Sequence, residues 1–269
     1  MRTETVRLIA IAKVGHYSSA FSCAEIRRPC STTTSCGCGA ARPKWAGPTC
    51  FVMGKGHAAV GPHPLLGRLG ASAQGAARPA IRGSAIRWAI IPTCARCRDA
   101  DFSSGSIGHA LSGWPGMALG APHARRRISD VSCSLGDGEM QEGQVWAAPW
   151  SRRTHRARNL TAIVDRNRYQ LDGAIEDVMA IEPAGREVAA LGWECTRSTA
   201  MMSRRSRPAA PRQGGSRAMQ AGLRHRPHAQ GQRASTFMER SRGWHLGLPG
   251  ARRRSARAWR EIKASGASR

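Results

Sequence analysis

Two short apolar runs constrain the fold of this chain more than any other feature. Residues 131–135 and 160–164 have the length and composition of buried strands, and each is followed by a polar side chain, Asp137 or Asn167. Residues 142–148 between them are of helix-forming types. The order strand, loop, helix, strand predicts two parallel strands that end side by side, where α/β sheets collect their ligands. We therefore expect Asp137 and Asn167 to face one crevice.

The turn Gly136-Asp137-Gly138 and the later Asn167 offer the groups that a magnesium diphosphate site requires. Magnesium prefers oxygen ligands and is usually held by a few protein groups together with phosphate oxygens. Asp137 supplies a carboxylate, Asn167 an amide carbonyl and Tyr169 a backbone carbonyl. Gly136 and Gly138 carry no Cβ, so their backbone can approach a diphosphate closely. A Gly-Asp-Gly run alone is more often a plain turn, and the Asn at matched spacing favours the ligand site.

Several runs of this sequence resemble transketolase. Residues 135–146 and 159–167 together are similar to the thiamine diphosphate motif of that family. The similarity continues in residues 171–178 and 192–194. Further similar runs, most of them earlier in the chain, occur in the same order as in the family, at residues 15–16, 22–26, 51–53, 55–59, 104–112, 116–120, 237–239 and 244–247. The order of several motifs is more specific than any single one of them.

The resemblance implies a transferase that acts in the pentose phosphate pathway. Such an enzyme uses thiamine diphosphate and Mg²⁺ to move a two-carbon ketol unit between sugar phosphates. The resemblance assigns Mg²⁺ to Asp137, Asn167 and the Tyr169 carbonyl. The other implied roles are diphosphate contact by Gly136, Gly138 and His57, lining of the cofactor by Gly105 and Ile107, a subunit-boundary acidic network at Glu142, and substrate contact by His16 and His245.

The implied fold is α/β, a parallel sheet with flanking helices that binds thiamine diphosphate. We expect one domain over residues 1–269, best preserved in residues 101–195. Three Arg-rich or Gly-rich stretches lack periodicity and are predicted to be irregular, namely 27–50, 61–100 and 196–234. Pro115 is predicted to interrupt the helix that follows residues 104–108.

The implied partner is a carboxyl-terminal transketolase-like subunit. At 269 residues the chain has the length of the amino-terminal half of transketolase, which some organisms encode as a separate subunit. A dimer of such pairs is expected, with an interface near Glu142. We expect the chain alone to turn over no sugar phosphate, because the half that activates the cofactor ring would come from the partner.

The net charge of +25 is unusual for such an enzyme and would ordinarily indicate a nucleic-acid partner. The Arg clusters, however, lie where the resemblance lapses, and no basic amphipathic helix or series of stacking aromatics accompanies them. An Arg-rich chain that binds nucleic acid nonspecifically therefore stays the alternative from a different class. The sequence has no signal peptide and no long apolar span, which predicts a cytoplasmic chain without a membrane partner.

A second alternative is a non-functional product of a damaged reading frame. Four segments outside the similar runs can be encoded so that one neighbouring frame spells what the family has there. Residues 149–155, for example, give Met-Val-Ala-Ala-His, and residues 199–204 give Gly-His-Asp-Val. The other two segments are residues 30–39 and 91–97. All four agree in one direction of shift, so we hypothesise that frame shifts have replaced these segments.

Overall fold

The described part of the chain is built around a parallel sheet. The computed structural model describes Thr5, Ile9 and residues 15–22, 49–58, 60–61, 102–123, 130–155, 160–197 and 220–225. Within them, five parallel strands lie in the order β1-β2-β3-β5-β4. The strands are β1 (Thr49–Met53), β2 (Asp130–Gly136), β3 (Leu160–Arg166), β4 (Glu194–Arg197) and β5 (Gln220–His225). The helices are α1 (Tyr17–Ser22), α2 (His109–His123), α3 (Gly143–Thr154), α4 (Ile175–Val178) and α5 (Ala184–Ala190), with 3-10 turns at Gly56–Ala58 and Gly138–Gln141.

The predicted strand, loop, helix, strand unit is confirmed as β2, the Gly138–Gln141 turn, α3 and β3. Strand β3 is a near-continuous apolar run, as expected where a parallel sheet is covered on both faces. Strand β2 instead alternates Val131, Cys133 and Leu135 with Ser132 and Ser134. Helix α3 contributes Val145 and Ala148 to the core, and α2 contributes Leu111 and the fully buried Trp114. The predicted α/β class is thus confirmed for the described residues, and the core packs against the central strands β2 and β3 along their length.

Part of the predicted irregular structure is ordered into strands. Strand β1 begins at Thr49, inside the 27–50 stretch, and β5 lies inside the 196–234 stretch. The segment Gln-Ala-Gly-Leu-Arg-His of β5 has no β-branched residue and only two apolar side chains at alternate positions, Ala221 and Leu223, which are too few to identify a strand. Pairing with β3 on one side and β4 on the other defines this strand instead. The remaining residues of the three stretches lie outside the described part, apart from Gly61 and the β4 residues 196–197.

The prediction that Pro115 interrupts its helix is wrong, because α2 continues through it to His123. Pro115 has no backbone N–H to donate to the Leu111 carbonyl, and this missing hydrogen bond ordinarily disfavours proline in the interior of a helix. Burial of the adjacent Trp114 in the core offsets this cost. Helix α3 likewise runs through Pro149. None of the helices within the described residues is long and apolar enough to cross a membrane.

Candidate functional site

The two central strands end side by side. Gly136, the last residue of β2, pairs in register with Asp165 of β3. Asp137 therefore follows one strand and Asn167 the next at the same edge of the sheet. Both side chains are buried, with 1% and 5% of their surface exposed. The predicted proximity of these two residues follows directly from this register.

Arg168 joins the two strand ends. Its φ of 70° is unusual for a residue with a Cβ, and such strained backbone is often found at functional sites. This conformation directs the Arg168 backbone N–H to Oδ2 of Asp137, whose Oδ1 accepts from the Gly138 N–H at 3.0 Å. Oδ1 of Asn167 accepts from the Tyr169 N–H at 3.1 Å. The chain after β3 thus folds over the Asp137 carboxylate.

The donor set at this edge suits a hard divalent cation. A carboxylate, an amide oxygen and a nearby backbone carbonyl are the ligand types that magnesium prefers. Beside them, Oε1 of Gln170 is buried and accepts no hydrogen bond from the described residues. A Cβ on Gly138 would lie 3.4 Å from the Gln170 Cβ and the Ile175 Cδ1. An unpaired acceptor oxygen beside the Asp137 carboxylate and the Asn167 amide oxygen fits a cation, so the residues present fit the implied metal ion.

Arg166 is a site residue that the sequence analysis missed. Its guanidinium is 2% exposed, lies 3.1 Å from Asp137 Oδ2 and also pairs with Glu176 and Glu182. Burial and the neighbouring Asp165 raise the pKa of Asp137 to about 6, whereas the Arg168 N–H and the cations Lys55 and Arg166 act in the opposite direction. An Arg beside Asp165 at the end of an apolar run was the one available signal. The buried carboxylate thus already carries counter-charge.

Glu139 is the second missed residue. Its buried carboxylate accepts hydrogen bonds from the Gly108 N–H at 2.7 Å and the Gly136 N–H at 3.1 Å. It therefore ties the loop containing Gly105 and Ile107, both exposed, to the end of β2. A side chain at Gly54 would collide with it, since a Cβ there would lie 2.5 Å from Oε1. Burial raises the pKa of Glu139, and these two N–H donors oppose that shift.

His16 and His57 lie against each other, with ring centroids 4.9 Å apart and an interplanar angle of 52°. His16 directly precedes α1, and His57 is in the turn after β1. Gly56 makes that turn possible because a Cβ there would lie 2.9 Å from the Gly105 N and the Ser104 Oγ. The fold therefore brings His16, His57 and Gly105 to adjoining segments, while their contacts with a ligand stay predictions.

The remaining predicted residues have different surroundings. Gly136 is packed internally, since a Cβ there would lie 3.3 Å from the Lys55 Cγ. Its lack of a side chain accommodates Lys55, and diphosphate contact stays a prediction. Glu142 is exposed at the start of α3, where a partner could reach it. His245 lies outside the described residues.

The curated proteins that are similar in sequence to this chain include transketolases. One of them is a subunit of the apulose-4-phosphate transketolase of Phocaeicola vulgatus. It is 35% identical over 94 residues, which are 35% of this chain and 33% of that protein. Human transketolase is 34% identical over 123 residues, which are 44% of this chain and 19% of that protein. The chain thus spans a third or less of the length of these two relatives. No family model matches it.

Solved structures give the same fold. Transketolase from Campylobacter jejuni superposes with a TM-score of 0.73 at 17% identity, over 99% of this chain and 46% of that chain. At this identity the likeness concerns the fold alone. Together with the relatives, it confirms the predicted resemblance to transketolase and shows that the match covers only part of each of these proteins.

The raised pKa of Asp137 predicts a pH dependence of stability in the metal-free protein. The folded state holds a proton on Asp137 up to pH about 6, whereas the unfolded chain releases it near pH 3.9. The free energy of unfolding should therefore fall as the pH rises from about 4 to about 6, by up to about 3 kcal/mol from this group. Asp137→Asn should flatten this fall, and Asp177→Asn on the exposed side of α4 should not. Urea unfolding at several pH values measures it, and equal slopes in the wild type and Asp137→Asn would contradict the assignment.

Proposed function

We propose that this chain, a relative of the transketolases, binds thiamine diphosphate through Mg²⁺ at the ends of β2 and β3. On this proposal it serves as the cofactor-binding subunit in the transfer of a two-carbon ketol unit between sugar phosphates. The observation that carries the proposal is the pair Asp137 and Asn167. Both are buried, both present oxygen atoms at one sheet edge, and Arg168 links them.

The site residues would have two kinds of role, binding the metal ion and contacting the diphosphate. Asp137, Asn167 and the Tyr169 carbonyl would hold the metal ion, whose charge would offset that of the diphosphate. Gly138 and His57 would contact the diphosphate itself. When bound, thiamine diphosphate supplies the nucleophilic carbon for ketol transfer, and the protein contributes binding, orientation and electrostatics.

The segments around the metal site would complete the pocket. The loop with Gly105 and Ile107 is fixed to β2 through Glu139, so it is suited to line the cofactor. His16, in ring contact with His57, would hydrogen-bond sugar hydroxyls. Two imidazoles at one place offer both donors and acceptors, which suits a polyhydroxylated substrate.

A partner chain belongs to the proposal. The relative from Phocaeicola vulgatus is named as one subunit of a transketolase, and a chain of that kind implies a further subunit. We propose that a carboxyl-terminal subunit docks near Glu142, which is exposed at the start of α3. Two such pairs would form the assembly.

Cofactor binding should depend on a divalent metal ion. Asp137 and Asn167 supply too few ligands to hold the diphosphate charge without one. Calorimetry should detect thiamine diphosphate binding with Mg²⁺ and none after chelation. Asp137→Ala should weaken binding by more than about 100-fold, beyond the loss of an outer-shell partner. Asp177→Ala, which removes an exposed carboxylate of α4, is the matched control and should bind normally. Equal binding with and without metal, or an unaffected Asp137→Ala variant, would refute the site.

Turnover should require both the partner and an intact reading frame. We expect no ketol transfer by the purified chain alone in a coupled transketolase assay. Adding a carboxyl-terminal subunit should restore activity only to a version whose segments 30–39, 91–97, 149–155 and 199–204 are translated in the neighbouring frame. Activity of the chain alone would overturn the two-subunit proposal, and activity of the unaltered chain with its partner would overturn the frame-shift hypothesis.

A further inference from the structure

A buried ion pair lies beneath the candidate site. Lys55 Nζ is 2.5 Å from Asp165 Oδ2, and both side chains are 2% exposed. The Ser22 hydroxyl donates to the same carboxylate oxygen at 2.6 Å and accepts from Lys55 at 3.2 Å. Lys55 also reaches the Ser19 carbonyl at 3.5 Å. We call Lys55, Asp165 and Ser22 the buried triad.

The triad connects three separate segments. Lys55 follows β1, Asp165 is near the end of β3, and Ser22 is the last residue of α1. Each segment also carries a residue of the candidate site. His57 is two residues after Lys55, Asn167 is two residues after Asp165, and His16 directly precedes α1.

Further contacts connect the triad to the site residues on these segments. The Asp165 carbonyl accepts from the Asn167 N–H at 2.9 Å, so the position of Asp165 fixes the turn that presents Asn167. The Lys55 stem packs against Gly136, the residue before Asp137. The Ala20 N–H donates to the His16 carbonyl at 3.2 Å, which ties His16 to α1.

Stability alone is a weak reason for a buried ion pair. Removing both charges from water costs about as much as their attraction returns, and apolar replacements of similar shape are often neutral or stabilising. A buried pair can instead specify one arrangement of the segments that it joins. Here those segments carry His16, His57 and Asn167.

We propose that the buried triad is a positioning unit that sets His57 and Asn167 at a fixed separation and seats His16 against His57. Through these residues it would pre-organise the site for the metal diphosphate, a consequence that rests on the proposed function. Lys55, Asp165 and Ser22 would touch neither cofactor nor substrate and would act only through the residues that they hold.

A paired replacement separates positioning from stability. Lys55→Met and Asp165→Asn each leave one buried charge without its partner, so each should lower the thermal midpoint strongly. The double variant removes both charges and should melt close to the wild type. We expect it nevertheless to bind thiamine diphosphate with Mg²⁺ at least about 10-fold more weakly, as for the loss of an outer-shell partner. Wild-type affinity in the double variant would overturn the proposal.

Two further variants control for folding. Val188→Ala creates a core cavity in α5, so it should lower the thermal midpoint and leave cofactor affinity unchanged. Ser22→Ala keeps both charges and removes the hydroxyl bonds from α1 to Asp165 and Lys55, which leaves only the longer Lys55 contact with the Ser19 carbonyl among the triad's contacts with α1. This variant should fold, but its His16 ring should no longer be held against the His57 ring. If Ser22→Ala matches the wild type in affinity and in the ring contact described next, the proposal fails even where the double variant does not fold.

A cofactor-free measurement keeps this inference separate from the proposed function. In the wild type the His16 and His57 rings are close enough for a nuclear Overhauser contact, assignable with His16→Gln and His57→Gln. The contact should persist in Val188→Ala and disappear in Ser22→Ala and in the double variant. A wild type that binds no cofactor would refute the proposed function alone. A ring contact that persists in both triad variants would refute the triad's role.

Discussion

The parallel pairing of β2 with β3 is the constraint on which the rest of this structure depends. Because Gly136 lies opposite Asp165, the residues that follow each strand emerge at one edge, and Asp137 comes within reach of the Arg168 N–H. A shift of the pairing by one residue would turn every side chain of one strand to the other face. The buried apolar side chains of both strands therefore fix the register, and the register in turn fixes the candidate site.

Neighbouring cations and N–H donors allow the carboxylates at this edge of the sheet to be buried. Three carboxylates, those of Asp137, Glu139 and Asp165, are almost fully buried in a chain of net charge +25. Each is met by local groups rather than by the overall charge: Arg166 faces Asp137, Lys55 faces Asp165, and backbone N–H groups face Glu139. Such pairing is the usual condition for burying ionised groups.

The sequence predicted the elements that depend on local pattern and missed those that depend on pairing between distant segments. The β2–α3–β3 unit and the proximity of Asp137 and Asn167 follow from strand composition and order. The apolar pattern of strand β5 is too short to identify it, and its pairing with β3 and β4 defines it. Arg166, Glu139 and the buried triad could not be predicted from local pattern because most of their partners lie 10 or more residues away. Helix α2 continues through Pro115 because core packing around Trp114 outweighs one lost backbone hydrogen bond.

We propose that Asp137, Asn167 and the Tyr169 carbonyl hold a divalent ion between the two strand ends. Anomalous X-ray scattering from crystals grown with Mn²⁺ and thiamine diphosphate tests this most directly, since Mn²⁺ accepts the same oxygen ligands as Mg²⁺. We expect one strong anomalous peak within about 2.5 Å of an oxygen atom from each of the three residues. A peak elsewhere, or none at this edge while the cofactor is bound, would contradict it.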